Sequence, residues 1–299
     1  MASSFSFHLA VVLLLVLVHQ HAGGTPDNFD LHEVLKKYVE RESEYHKTEV
    51  VCWDFHCKPD DLKGHRLKRP TLTVTAGPVV YGATKSSTRR PNVVYSTWVH
   101  NGQASSSQQI TVNRKTKHKK TVTWHVESGF SYSGSLTASV NFFKFVDIET
   151  KHQISLDLKG GYRQEESDTE TFSVNQVVTV PPMKSVKIEW VITDAVQEVP
   201  WTSTVTVTGE IRIKFKERVN NSFFWSHGIG RLHDSRLKYK GDNIFQYTAG
   251  GTYTAVKGHD AQLRVTEHDY QAYGGRSSAV RTYTIPLSLT PNAPAAKTL

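Results

Sequence analysis

From Gly129 to Asn141 the chain alternates without a break. Phe130, Tyr132, Leu136, Ala138, Val140 and Phe142 are apolar, and Gly134 between them has no side chain. The intervening positions are Gly129, Ser131, Ser133, Ser135, Thr137, Ser139 and Asn141. A period of two predicts a strand with one apolar and one polar face. The polar face carries no charge and is mostly serine, whereas a solvated surface strand usually carries Lys, Glu and Arg. Such a strand can bury its apolar face in protein, or set it against lipid with the serines lining a water-filled lumen.

The alternation has a partner of the same parity. Ile148, Ile154, Leu156, Leu158 and Tyr162 are even, while Glu149, Lys151, Gln153, Ser155, Asp157, Lys159 and Arg163 are odd. A hairpin with a five-residue turn pairs Phe142 with Ile148, Leu136 with Ile154 and Gly134 with Leu156, so all apolar side chains share one face. His152 and Thr150 also fall on that face. Each arm of roughly 13 residues spans about 43 Å at about 3.3 Å per residue, and a tilted transmembrane strand needs about 9–11 residues. Phe142, Phe143, Phe145 and Val146 cluster at the tip, as suits a membrane interface. A lone hairpin leaves unpaired edges in lipid, so several copies would have to close a barrel. An amphipathic hairpin lying on a sheet of its own protein has the same period.

The rest of the chain reads as strands. They are predicted at Thr71–Val80, Val93–Val99, Gln109–Val112, Thr121–Asn141, Ile148–Leu158, Thr171–Val180, Val186–Ile192, Thr202–Phe215, Asn243–Tyr247 and Ala261–Thr266, with Gly, Pro, Asn and Asp between them. One helix is predicted, opening at Pro26 and Asp27, with Leu31, Val34, Leu35, Tyr38 and Val39 on one face. The fold class is therefore all-β and elongated, with a short N-terminal helix.

Leu9–Val18 is an apolar run of signal-peptide length, too short to span a bilayer as a helix. The expected organisation is a signal peptide over 1–24, a helix and cysteine loop over 25–70, a β module over 71–290 and a loose tail over 291–299. The chain has 36 Lys and Arg against 28 Asp and Glu. In a secreted protein that excess favours anionic cell surfaces, lipid headgroups or sulfated glycans over nucleic acid. Arg114, Lys115, Lys117, Lys119 and Lys120 form the clearest basic run, either a binding patch or a solvated strand end. The two cysteines, Cys52 and Cys57, are expected to form one disulfide in an oxidising compartment; a zinc set with His56 and His65 fits no usual spacing. Asn220-Asn221-Ser222 is a glycosylation acceptor.

Enzyme signatures are missing. Gly129-Phe-Ser131-Tyr-Ser133 lacks the closing glycine of a nucleophile elbow, and His32-Glu33 is followed by Lys36 where a second metal-binding His would stand. Catalysis, a cofactor and a metal are not expected.

After the hairpin come Glu170–Pro182, ending in Val-Pro-Pro, and the alternating Val186-Lys-Ile-Glu-Trp190-Val-Ile192. Later follow Tyr247–Gly258, rich in Thr, Ala and Gly, and Leu263–Glu267. With the Ser-rich hairpin, these stretches resemble the aerolysin-like β-pore-forming toxins of the epsilon-toxin/mosquitocidal-toxin branch over roughly Thr71 to Glu267. The N-terminal helix and cysteine loop resemble secreted animal members. The resemblance implies a soluble secreted monomer that binds a target membrane, forms a homo-oligomeric ring and inserts Gly129 to Tyr162 from each subunit. It implies that Phe130, Tyr132, Leu136, Ala138, Val140, Phe142, Phe143, Phe145, Val146, Ile148, Ile154, Leu156 and Leu158 face lipid. Ser131, Ser133, Ser135, Thr137, Ser139, Glu149, Lys151, Asp157 and Lys159 would then line the lumen. The other reading is a secreted β-rich protein that binds glycans or lipids without making pores.

Overall fold

The computed structural model describes residues 27–62, 72–140, 154–270 and 279–287. The signal segment, the C-terminal tail and the hairpin tip lie outside them. The N-terminal elements are β1 (Asp27–Asp30), α1 (Leu31–His46) and β2 (Val50–Trp53). Then come β3 (Thr73–Ala76), β4 (Val80–Tyr81), β5 (Ser86–Asn101) and β6 (Gln108–Ser131). The short strands β7 (Thr137–Val140) and β8 (Ile154–Asp157) precede β9 (Arg163–Val180) and β10 (Lys184–Thr208). The chain continues through β11 (Glu210–Val219), β12 (Ser222–Gly228), β13 (Lys238–Tyr239), β14 (Phe245–Asp269) and β15 (Ala279–Leu287).

The strands are longer than the sequence pattern suggested. β10 and β14 have 25 residues each, about 80 Å at about 3.3 Å per residue, and they pair antiparallel almost throughout. They form the spine of an elongated sheet. Over its middle the order is β9–β6–β14–β10–β5, every neighbour antiparallel. Beyond Thr121, β6 no longer pairs with β14, and β15 takes its place from Ala261 onward. The β6–β9 ribbon then packs face to face on the spine. Val112, Phe172, Val174, Val178 and Val180 from the ribbon meet Val186, Ile188, Trp190, Leu263 and Val265 in a second core.

The larger core lies at the other end. There α1 packs Leu31, Leu35, Tyr38 and Val39 onto the sheets. The helix begins at Leu31, not at Pro26 or Asp27. Asp30 caps it, its carboxylate accepting the Glu33 N–H at 3.2 Å. The preceding Asp27–Asp30 is drawn into a parallel strand with Ser128–Ser131 of β6. A single strand expected over Thr202–Phe215 is broken at Gly209, whose φ of 104° only glycine adopts readily. Past that break β11 leaves the large sheet and pairs with β12 and β2. Within residues 27–62, β1 pairs with β6 and β2 with β11, so these residues are joined to the large sheet and to the smaller one.

Candidate membrane-insertion hairpin

The segment 132–162 is an insertion between two paired strands. β6 and β9 pair from Gln108↔Val180 to His125↔Arg163. Two bonds keep that register beyond Arg163: the Val126 N–H donates to the Tyr162 carbonyl at 2.9 Å and the Phe130 N–H to the Leu158 carbonyl at 2.8 Å. Between them a turn closed by Tyr162 N–H to Lys159 at 3.0 Å shifts the Gly161 N–H onto the Val126 carbonyl, one residue out of step, at 2.9 Å. At this closing point the strands crowd together. A Cβ on Gly129 would lie 2.0 Å from the Gly160 nitrogen, so glycine is required there.

Beyond Phe130 the register changes. The Leu158 N–H donates to the Leu136 carbonyl at 3.0 Å. β7 and β8 then pair as Thr137↔Asp157, Ala138↔Leu156, Ser139↔Ser155 and Val140↔Ile154. The β6–β9 register would set Leu156 opposite Tyr132; it lies opposite Ala138, six residues on. The slack is taken up by Ser131–Leu136, where Gly134 faces open space. The pairing expected from the sequence, Leu136 with Ile154 and Gly134 with Leu156, is therefore wrong by four residues. Its parity is right, because an even shift keeps every side chain on its face.

In this state the apolar face lies against protein. Ala138, Val140, Ile154, Leu156 and Leu158 are buried in the larger core, and Tyr132 and Leu136 pack at its margin. Phe130 belongs to β6 proper and stacks on Phe29, ring centroids 5.2 Å apart. Ser133, Ser135, Thr137, Ser155 and Lys159 are exposed; Ser131, Ser139 and Asp157 are half-buried. Phe142, Phe143, Phe145, Val146, Ile148, Glu149, Lys151 and His152 lie outside the described residues. Burial of a Val, Leu or Ile side chain contributes about 1.5–3 kcal/mol. Val140, Ile154, Leu156 and Leu158 together hold the hairpin down by roughly 6–12 kcal/mol in water.

Few polar contacts add to that. The Val79 N–H donates to the Ser139 carbonyl at 2.9 Å. Asn28 on β1 bridges both arms, donating from Nδ2 to Ser131 Oγ at 2.9 Å and accepting the Gly160 N–H at 3.0 Å. The Tyr132 hydroxyl reaches the Asp54 carboxylate at 3.4 Å. Asp54 sits in the loop closed by the Cys52–Cys57 disulfide. That bridge occupies both thiols, so the zinc set is ruled out. Nothing in the sequence pointed to Asn28, Val79 or Asp54 as hairpin contacts, because all three belong to distant segments.

The model of one family, Clostridium epsilon toxin ETX/Bacillus mosquitocidal toxin MTX2, matches residues 37–278. The chain belongs to the ETX/MTX2 family. Solved structures it resembles include the parasporin-2 toxin of Bacillus thuringiensis that recognizes cancer cells, at 16% identity and TM-score 0.48, covering 86% of this chain and 93% of that one. Another is the Mpp75Aa1.1 β-pore-forming protein of Brevibacillus laterosporus, at 12% identity and TM-score 0.44, covering 89% and 98%. A non-toxic crystal protein of Bacillus thuringiensis is similar at 13% identity and TM-score 0.49, covering 82% and 99%. No curated protein matches the chain in sequence. Membership of the ETX/MTX2 family supports a pore-forming toxin.

In the basic run of this ETX/MTX2 protein, Arg114, Lys115, Lys117 and Lys119 are exposed and Lys120 is buried. The run lies within β6, so alternate side chains point to opposite faces. Lys120 bridges Asp168 and Glu170 at 3.2 and 3.3 Å. Lys119 pairs with Glu165 at 2.8 Å, and the Arg114 guanidinium lies 5.2 Å from the Tyr95 ring centre. Lys115 and Lys117 remain exposed. Asn220 is exposed in the two-residue turn between β11 and β12, where Asn220 and Asn221 take φ of 47° and 65°, as a primed hairpin turn requires.

Proposed function

We propose that this is a secreted protein that attaches to a target membrane, assembles with copies of itself and contributes the hairpin Gly129 to Tyr162 to a transmembrane β-barrel. One observation carries the reading. The hairpin's apolar face is sealed against its own protein mainly by side-chain burial, while its other face, around Ser133, Ser135 and Thr137, is small, polar and exposed. Lipid can replace the protein around Leu136, Ala138, Val140, Ile154, Leu156 and Leu158, and water can stay on the other face. On insertion the excursion Ser131–Leu136 is drawn straight, β6 runs on into β7 and β8 into β9, and the β6–β9 register continues to the tip. The lipid-facing and lumen-facing sets keep their sides because the six-residue shift is even. Disulfide-closed Cys52–Cys57, the exposed sequon at Asn220 and the signal-length run at Leu9–Val18 agree with secretion.

The experiment is leakage of a trapped dye from vesicles, read together with detergent-resistant oligomers. Leakage with oligomers supports the proposal. Membrane binding without leakage or oligomers favours the glycan- or lipid-binding reading.

A further inference from the structure

The five-stranded middle of the sheet has two open edges. Among the described residues, β5 pairs only with β10, and β9 only with β6. Each open edge presents a row of unpaired backbone groups, which is a template for another strand. Four successive antiparallel pairings separate β9 from β5. The two edges therefore run in the same direction. A second copy related by rotation about an axis along the strands sets its β5 beside the first copy's β9 as a parallel pair. Such a head-to-tail contact repeats and can close into a ring, and every hairpin in it points the same way.

The charges on the two edges match in sign and level. One row crosses the sheet as Thr88–Val196–Val256–Thr121–Ser167, and the next as Ser87–Gln197–Ala255–Val122–Glu166. One residue beyond Thr88 is Arg89, and one residue beyond Ser167 is Asp168. The shared rows end there, because β6 parts from β14 past Thr121; Arg89 and Asp168 each follow one residue on, along opposite edges.

Neither edge is neutralised by its own subunit. Arg89 and Arg90 are exposed and form no ion pair among the described residues. Asp194, the acid opposite Arg90 on β10, is engaged by His118 at 2.6 Å. On the other edge, Asp168 and Glu170 share the single cation Lys120. Among the described residues Glu166 has no ion pair, and it accepts a hydrogen bond from Gln164 at 3.3 Å. Two unmatched arginines on one edge thus face surplus carboxylates on the other.

We infer that the edge of β5 around Arg89 and Arg90 docks on the edge of β9 around Glu166 and Asp168 of a second copy of this chain. This rests on the pore reading, and it names the surfaces that build the ring. The two edges attract each other between copies and repel their own kind, which selects head-to-tail over back-to-back association.

The test uses two charge reversals on the full chain, Arg89→Glu/Arg90→Glu and Glu166→Lys/Asp168→Lys. Each is checked for a cooperative thermal melt of the monomer above the assay temperature, since Asp168→Lys also removes an ion pair of Lys120, then assayed on vesicles of phosphatidylcholine, cholesterol and phosphatidylserine. Each reversal alone puts like charges across the contact and should lower the yield of detergent-resistant oligomer by about tenfold or more. An equal mixture of the two should restore it, because each edge then finds its opposite on the other variant. The fourfold variant carrying both reversals should also assemble. Single variants that assemble like wild type, or a mixture and a fourfold variant that stay monomeric, would overturn the edge assignment while wild-type leakage leaves the pore reading intact. Wild-type protein that neither leaks dye nor assembles would remove both.

Discussion

A disulfide placed across β7 and β8 should trap the hairpin in its docked register. In the structure Ala138 lies directly opposite Leu156, where antiparallel partners have Cα atoms about 4.5–5.5 Å apart. A disulfide joins Cα atoms up to about 7 Å apart, so Ala138→Cys/Leu156→Cys should close. In the extended hairpin Leu156 moves opposite Tyr132, and Ala138 is then six residues up the neighbouring strand. At about 3.3 Å per residue that is about 20 Å, well beyond reach of a disulfide. The crosslinked protein should bind membranes and release no dye, and reductant should restore leakage. Wild type with the same reductant is the control for the native Cys52–Cys57 bridge. The complementary pair, Tyr132→Cys/Leu156→Cys, should crosslink only after exposure to membranes. Full leakage from the oxidised 138–156 protein would refute the register change.

Other consequences are as specific. Val140→Arg should abolish leakage, since Arg near the midplane on a barrel's lipid face costs about 2–4 kcal/mol, whereas Ser135→Arg should keep leakage and shift the pore toward anions by reversal potential. Gly129→Ala should lower the melting temperature, because its Cβ would overlap the Gly160 backbone. Lys120→Ala should destabilise the fold by about 1 kcal/mol in denaturant titration, since it removes ion pairs to two carboxylates that stay partly open to water; neutralising the exposed Lys115 and Lys117 should instead weaken salt-sensitive binding to anionic vesicles with no change in stability. His227 pairs with the Tyr38 hydroxyl where α1 meets β12, and burial holds its imidazole below the usual range, with Arg231 and His46 adding and Glu42 opposing. The unfolded chain then binds more protons below pH of about 6.5, so thermal stability should fall as pH drops through that value, and His227→Gln should flatten the fall.

Hydrophobic parity made the hairpin's two faces readable, but it fixes register only to within an even number of residues. The four-residue error in pairing Leu136 with Ile154 follows from that. The docked register is set where Ser131–Leu136 leaves the β6–β9 register and the Leu158 N–H takes the Leu136 carbonyl, which no local pattern encodes. The same limit hid the continuity of β6. Arg114–Lys120 has no apolar alternation, so it read as either a binding patch or a solvated strand end. It is a strand because acids on β9 receive the inward-pointing Lys120 and because Asp194 receives His118. The helix face was legible from Leu31, Leu35, Tyr38 and Val39. Its start was not, since Pro26 and Asp27 read as a helix opening while β6 captures Asp27–Asp30.

The central claim is that Ser131 to Val140 enters the membrane as a strand with its even face on lipid. Single cysteines at each position from 131 to 140, labelled with a polarity-sensitive fluorophore, test it directly in a chain with no free thiol among the described residues. On membrane exposure the labels at Tyr132, Leu136, Ala138 and Val140, packed against protein in solution, should become open to quenching from the lipid phase. Those at Ser131, Ser133, Ser135, Thr137 and Ser139 should stay in water. Leakage without that alternation, or labels that never leave their solution environment, would contradict the account.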